Sequence, residues 1–103
     1  MGAIMNFSIF PVDKGAHIGE YVSKVIEYIK SSGMEYQLTS MGTIIEAPTV
    51  SEVLQVVEKA YDILDPVSDR VYCVMNMDYK KNELELMSRK VKAIEDRIGE
   101  VNT

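Results

Sequence analysis

The tightest constraint on this chain is the order in which its hydrophobic period changes. From Ala3 to Phe10, Ala3, Met5, Phe7 and Ile9 alternate with Ile4, Asn6, Ser8 and Phe10. The first set is wholly apolar, and the second carries two polar groups in its middle. That period of two belongs to a half-covered strand. Pro11 ends it, because proline has no amide hydrogen to give a ladder. A loop follows through Pro-Val-Asp-Lys-Gly. Ile18, Tyr21, Val22, Val25, Ile26 and Ile29 then recur at the spacing of one helical face, with Lys24, Glu27 and Lys30 on the other. Ser31-Ser32-Gly33 stops that helix, Gly33 supplying the left-handed terminal residue.

The period returns to two from Met34 to Ser40. Gly42 marks a turn and Thr43 to Ala47 makes a second short strand, so the pair reads as an antiparallel hairpin. Thr49, with Glu52 three residues later, forms a capping box. The helix it opens places Val50, Val53, Leu54, Val57, Tyr61 and Leu64 on one face, and Pro66 closes it. Arg70 to Asp78 is a fourth strand, with Val71, Cys73, Met75 and Met77 on one side and Tyr72, Val74, Asn76 and Asp78 on the other. A basic turn is expected from Tyr79 to Asn82. A last helix carries a narrow stripe of Leu84, Met87, Val91, Ile94, Ile98 and Val101, too short for an extended coiled coil and expected to pack on the domain's own edge. The first six elements form a split βαβ pair. The expected fold class is α+β: a ferredoxin-like βαββαβ antiparallel sheet with an additional C-terminal helix, residues 1–103 forming one domain. Helices on one face of such a sheet leave its other face open.

Composition narrows the function. The formal net charge is -5 and the pI about 4.8. This argues against nucleic acid as a partner, because phosphate binding needs a surplus of Lys and Arg. It argues equally against an anionic membrane surface. Six of the eleven basic residues lie in the last 24 positions, which reads as a solvated helix face. No stretch is long enough to span a membrane, and Met1 to Phe10 lacks the basic start and cleavage site of a secretory signal, so a cytoplasmic location is expected. The lone Cys73 excludes an intrachain disulfide and reads as an inert thiol in an apolar run. One histidine, His17, and no Cys/His cluster exclude a tetrahedral structural zinc site. No GxGxxG, Walker A or GxSxG pattern is present. The Val12–His17 loop has no Arg and so lacks the phosphate cradle of an acylphosphatase. No catalytic residue, metal ligand or cofactor is therefore assigned.

The open sheet face carries the remaining information. Alternation places Asn6 and Ser8 together on the first strand, and Asn76 and Asp78 together on the fourth. Glu35, Gln37 and Thr39 share a face of the second strand, and Glu46 lies opposite in phase to Thr43 and Ile45 on the third. Ile4, Phe10, Tyr72 and Val74 add apolar area. Such a surface suits an interface with a second copy of the chain, a small-molecule pocket at its rim, or both.

Several segments together carry a family resemblance. They are Ser8-Ile9-Phe10-Pro11, Ser32-Gly33-Met34-Glu35-Tyr36-Gln37-Leu38, Glu52-Val53-Leu54, Arg70-Val71 and Lys90-Val91. Most specific is Met41-Gly42-Thr43-Ile44-Ile45-Glu46 in the hairpin. Over nearly its whole length the chain resembles the small thiamine-binding-protein-like family related to YkoF. It departs from the pattern at Ala47, where a Gly usually follows the Glu, and at Tyr79-Lys80-Lys81, where Arg is frequent. The resemblance implies a ferredoxin-like fold assembling into homodimers or homotetramers. For some members it also implies binding of thiamine or its hydroxymethylpyrimidine part without chemistry. The expected ligand-binding residues are Ser8, Phe10, Tyr36, Gly42, Thr43, Glu46 and Asp78. Ser8, Thr43 and amides near Gly42 would meet ring nitrogens. Glu46 or Asp78 would accept from an exocyclic amine and favour a thiazolium cation. Phe10, Tyr36 and Tyr72 would supply aromatic walls. The alternatives are an oligomeric structural or regulatory module without a small ligand, and an enzyme of the ferredoxin-like α/β-barrel kind.

Overall fold

A computed structural model describes residues 2–82 and 86–103. Its elements follow the expected order: β1 (Gly2–Pro11), α1 (Gly19–Ser32), β2 (Glu35–Thr39), β3 (Gly42–Ala47), α2 (Val50–Leu64), β4 (Val71–Lys80) and α3 (Leu86–Ile98). The strands form one antiparallel sheet in the order β2-β3-β1-β4. This is the ferredoxin-like arrangement, in which the two βαβ halves interleave and β1 lies inside the sheet.

Local chemistry explains the boundaries. Gly33 ends α1 at φ 80°, a conformation open to glycine at no steric cost. The α2 capping box is complete: the Thr49 hydroxyl accepts the Glu52 amide at 3.2 Å, and the Glu52 carboxylate accepts the Thr49 amide at 3.1 Å. Pro66 closes α2 within a short 3-10 turn, Asp65–Val67. Leu54 and Tyr61, expected in the core, are at the surface, and Val56 and Ala60 are buried in their place. The strip that touches the sheet is therefore Val53, Val56, Val57, Ala60 and Leu64, one position round the helix from the expected one. The small Ala60 lets α2 approach the strands closely.

The core lies between the sheet and the α1/α2 layer. Ala3, Met5, Phe7 and Ile9 of β1 and Ile45 of β3 meet Val25 and Ile29 of α1 and Val53 and Leu64 of α2. The alternation of β1 is thus the packing pattern of the whole domain. β4 runs two residues further than expected, because Ala3 pairs with Tyr79 and Gly2 with Lys80. The turn after it retains only the end of the expected basic segment.

The second sheet face is partly covered. The first turn of α3 buries Leu86 at that face, while Ile94 and Ile98 further along are 49% and 72% exposed. The expected stripe is present on α3 but is packed only at its start; Leu84 lies outside the described residues. Among the described residues no helix is long and apolar enough to cross a membrane.

Candidate ligand-binding site

A notch opens where the hairpin leaves the sheet. β1 pairs with β3 only as far as Phe7 and Thr43, and from Ser8 to Pro11 it has β4 alone as its ladder partner. The hairpin turns away at Gly42, and the start of α1 crosses above. The result is a cavity of about 450 Å³ whose walls include Ser8, Phe10, Ile18, Gly19, Met41, Gly42 and Thr43. That volume lies in the range of small-molecule sites.

Each wall has a local cause. Gly42 lies so close to β1 that an added Cβ would stand 2.9 Å from the Asn6 side-chain oxygen and 3.0 Å from the Phe7 carbonyl oxygen. Only glycine lets the hairpin sit there. Thr39 fixes the turn: its hydroxyl donates to the Gly42 carbonyl at 2.8 Å and accepts the Met41 amide at 3.2 Å. Phe10 leans on Tyr72 across the β1–β4 pair, with ring centroids 5.9 Å apart.

Thr43 is the informative wall residue. It is 4% exposed and lines the cavity, yet its hydroxyl makes no hydrogen bond among the described residues. Among the described residues no fully enclosed side-chain polar atom is left unpaired, so this hydroxyl is not sealed from solvent. The cavity lining carries no Asp, Glu, Lys, Arg or His.

Four expected site residues, Ser8, Phe10, Gly42 and Thr43, thus converge. The other three stand elsewhere. Tyr36 is on the helix-covered face, packed against the core. Glu46 is 8% exposed, and its carboxylate accepts the backbone amides of Leu86 and, at 3.0 Å, of Met87 at the start of α3. It borders a separate cavity of about 490 Å³ with Glu35, Gln37 and Met87. Asp78 accepts a 2.9 Å hydrogen bond from Lys90 of α3, and this bond holds its carboxyl below the usual carboxylate range. The two acids are therefore occupied in seating α3. Of the two larger cavities, the notch is the one that brings several of the expected residues together.

Ile18, Gly19 and Met41 are wall residues that pattern reading missed. Met41 lies within the most specific quoted segment, and Ile18-Gly19 opens a helix without a Ser, Thr, Asp or Asn cap. Both signals were available in the sequence. Cys73, half-buried on the helix side, has its thiol pushed up by burial. Among the described residues no group of three or more His, Cys, Asp or Glu is placed to hold a metal ion.

A family model described as thiamine-binding protein matches residues 5–95. The UPF0045 protein Mb1933 of Mycobacterium bovis is 32% identical over 92% of this chain and 93% of its own. The crystal structure of the hypothetical protein MJ1052 of Methanocaldococcus jannaschii is 32% identical, with a TM-score of 0.79 over 90% of this chain and 95% of that one. A Thermotoga maritima protein, described provisionally as a thiamine biosynthesis/salvage protein, superposes with a TM-score of 0.76 at 20% identity. It covers 90% of this chain and 99% of its own, a likeness of fold.

Proposed function

We propose, from the premise that this chain belongs to the thiamine-binding protein family, that its notch binds thiamine or a related hydroxymethylpyrimidine without chemical change, the chain working as a homo-oligomer. The observation that carries this reading is the convergence of Ser8, Phe10, Gly42 and the 4% exposed Thr43 on one cavity. An aminopyrimidine has ring nitrogens that accept from hydroxyls, and a flat apolar face that suits Phe10. A binding role without catalysis fits a wall that carries no acid, base or thiol.

Assembly is supported by what the single chain leaves uncovered. Tyr72 and Val74 on the open sheet face are each about half exposed, as is Ile94 on α3, and Ile98 is more so. A second copy placed there would bury them and stiffen a small domain.

The test is calorimetric titration with thiamine and with hydroxymethylpyrimidine, alongside light scattering. Saturable heat with one of the two ligands and a mass of two or four chains are expected. No heat at millimolar ligand would refute the binding reading, and a monomer at high concentration would refute the assembly.

A further inference from the structure

We propose that the notch reads the pyrimidine through main chain: the free N–H of Ile9 on β1 donates to a ring nitrogen, and the free C=O of Ile9 accepts from the amine on the adjacent ring carbon. This rests on the notch being the pyrimidine site. It names the edge of the ring that the site reads and the class of pyrimidine that it refuses.

The direction of the Ile9 groups follows from the ladders. The Val12 amide donates to the Arg70 carbonyl at 3.0 Å, which continues the β1–β4 register in which Pro11 pairs with Val71. In an antiparallel sheet a residue turns its N–H and C=O to the same neighbour, and successive residues alternate. Even-numbered residues of β1 therefore face β4, and odd-numbered ones face β3. The Phe7 carbonyl oxygen agrees, lying 3.0 Å from where a Cβ on Gly42 of β3 would stand. Ala3, Met5 and Phe7 meet Ala47, Ile45 and Thr43 on that side. Ile9 is next in the series and has no strand partner there. The register position opposite it falls on Met41, in the turn between β2 and β3, whose amide goes to the Thr39 hydroxyl. Among the described residues no other hydrogen bond serves the Ile9 backbone on that side.

The space that β3 leaves beside Ile9 is the notch, and Ile9 is part of its wall. Ile9 is 4% exposed, and backbone groups so enclosed ordinarily have partners. Ile18 and Val22 of α1 line the helix side of this edge, and Ser8 and Phe10 line the other. A flat ring lying in the plane of the sheet fits between them. The pyrimidine of thiamine carries a ring nitrogen that accepts and, on the next carbon, an amine that donates. It thus offers the one acceptor and one donor, side by side, that a strand would offer. With oxygen in place of the amine the donor is lost, whichever ring nitrogen carries the hydrogen, and the Ile9 C=O then faces another acceptor.

The experiment compares hydroxymethylpyrimidine, thiamine and the oxo analogue of hydroxymethylpyrimidine by titration calorimetry. The two amines are expected to bind about tenfold tighter than the oxo analogue, or more. With the ring nitrogens of hydroxymethylpyrimidine labelled with nitrogen-15, magnetic resonance should show a coupling across the hydrogen bond to the Ile9 amide. Hydrogen exchange of that amide should slow about tenfold or more on binding. No side-chain substitution removes a backbone donor, so the matching variant has an ester in place of the Ser8–Ile9 amide. It should bind the amines about tenfold more weakly; if it fails to fold, the resonance data on the unmodified chain still decide. Equal affinity for amine and oxo analogue would overturn this inference and leave pyrimidine binding standing. So would tight binding of an amine with no coupling to Ile9 and unchanged exchange there. Absence of binding by all three probes would overturn the pyrimidine reading and this one with it.

Discussion

Glu46 on β3 caps α3: its carboxylate accepts the Met87 amide at 3.0 Å across a gap of 41 residues in sequence. With the amide of Leu86 on its other oxygen, this is an N-cap supplied by a different element. Two of the free amides at the helix start are thereby satisfied, and the negative charge sits at the positive end of the helix dipole. Glu46→Ala removes both bonds and leaves two amides of α3 unserved. A loss of about 1–3 kcal/mol in urea unfolding is expected, with reduced helical circular dichroism. Ligand affinity should stay within about twofold of the unmodified chain, less than the loss of one hydrogen bond. A large affinity loss with unchanged stability would return Glu46 to the binding site.

Thr43→Val gives the opposite pattern. Valine has nearly the same shape, suits a strand, and has no hydroxyl to desolvate. Because the Thr43 hydroxyl has no protein partner, thermal stability should be unchanged or raised by up to about 1 kcal/mol. Pyrimidine affinity should fall by about 1 kcal/mol, close to fivefold. Titration and thermal unfolding of one sample read both effects. A valine variant that binds normally would show that the hydroxyl does not meet the ligand.

The sequence made the scaffold legible because each element carries its own local signal. The alternation of Ala3, Met5, Phe7 and Ile9 marks the buried face of β1, and Thr49 with Glu52 marks the start of α2. The α2 strip differs by one position from the expected one because Leu54 and Tyr61 have larger side chains than Val56 and Ala60 and so stand out in the pattern. Closeness to the sheet, not side-chain size, decided which were buried. The site was half legible. Ser8, Phe10, Gly42 and Thr43 flank one turn and so stay together under any reasonable register. Glu46 and Asp78 looked free because nothing in a linear chain announces that α3 folds back onto them. Thr43 was grouped with Ser8 although alternation puts them on opposite sheet faces. The notch reunites them because β3 ends where β1 continues.

The loops at the far end of β1 predict a pH dependence. Asp13 accepts from the Ser68 hydroxyl at 2.6 Å and from the Asp69 amide at 2.8 Å, tying the β1–α1 loop to the α2–β4 loop. The Ser68 hydrogen bond, and then that of Asp69, hold its carboxyl below the ordinary value of 3.8. A pKa lowered by folding gives stability that is present above the unfolded value and lost as pH falls through the folded one. Asp13→Asn should therefore lower Tm near neutral pH, and the difference from the unmodified chain should shrink as pH is taken below about 4. A difference that stays constant from neutral pH to strong acid would assign the effect to loop packing instead of the ionised carboxylate.

Gly42 tests whether the close approach of the hairpin to β1 shapes the notch. A methyl group there would stand 3.0 Å from the Phe7 carbonyl oxygen, which is backbone held in the ladder and cannot swing aside. The Asn6 side chain, at 2.9 Å, could rotate away, but the carbonyl contact remains. The hairpin must therefore lift from β1 by a few tenths of an ångström, and the Phe7–Thr43 pairing beside it loosens. Gly42→Ala should destabilise the chain by about 1–3 kcal/mol, the range for overpacking a close contact. Because the lift carries Thr43 with it, pyrimidine affinity should fall as well, even at temperatures where the variant is fully folded. Denaturant unfolding and titration at low temperature separate the two losses. Normal affinity in a destabilised but folded Gly42→Ala chain would mean that the hairpin's seat on β1 serves stability alone.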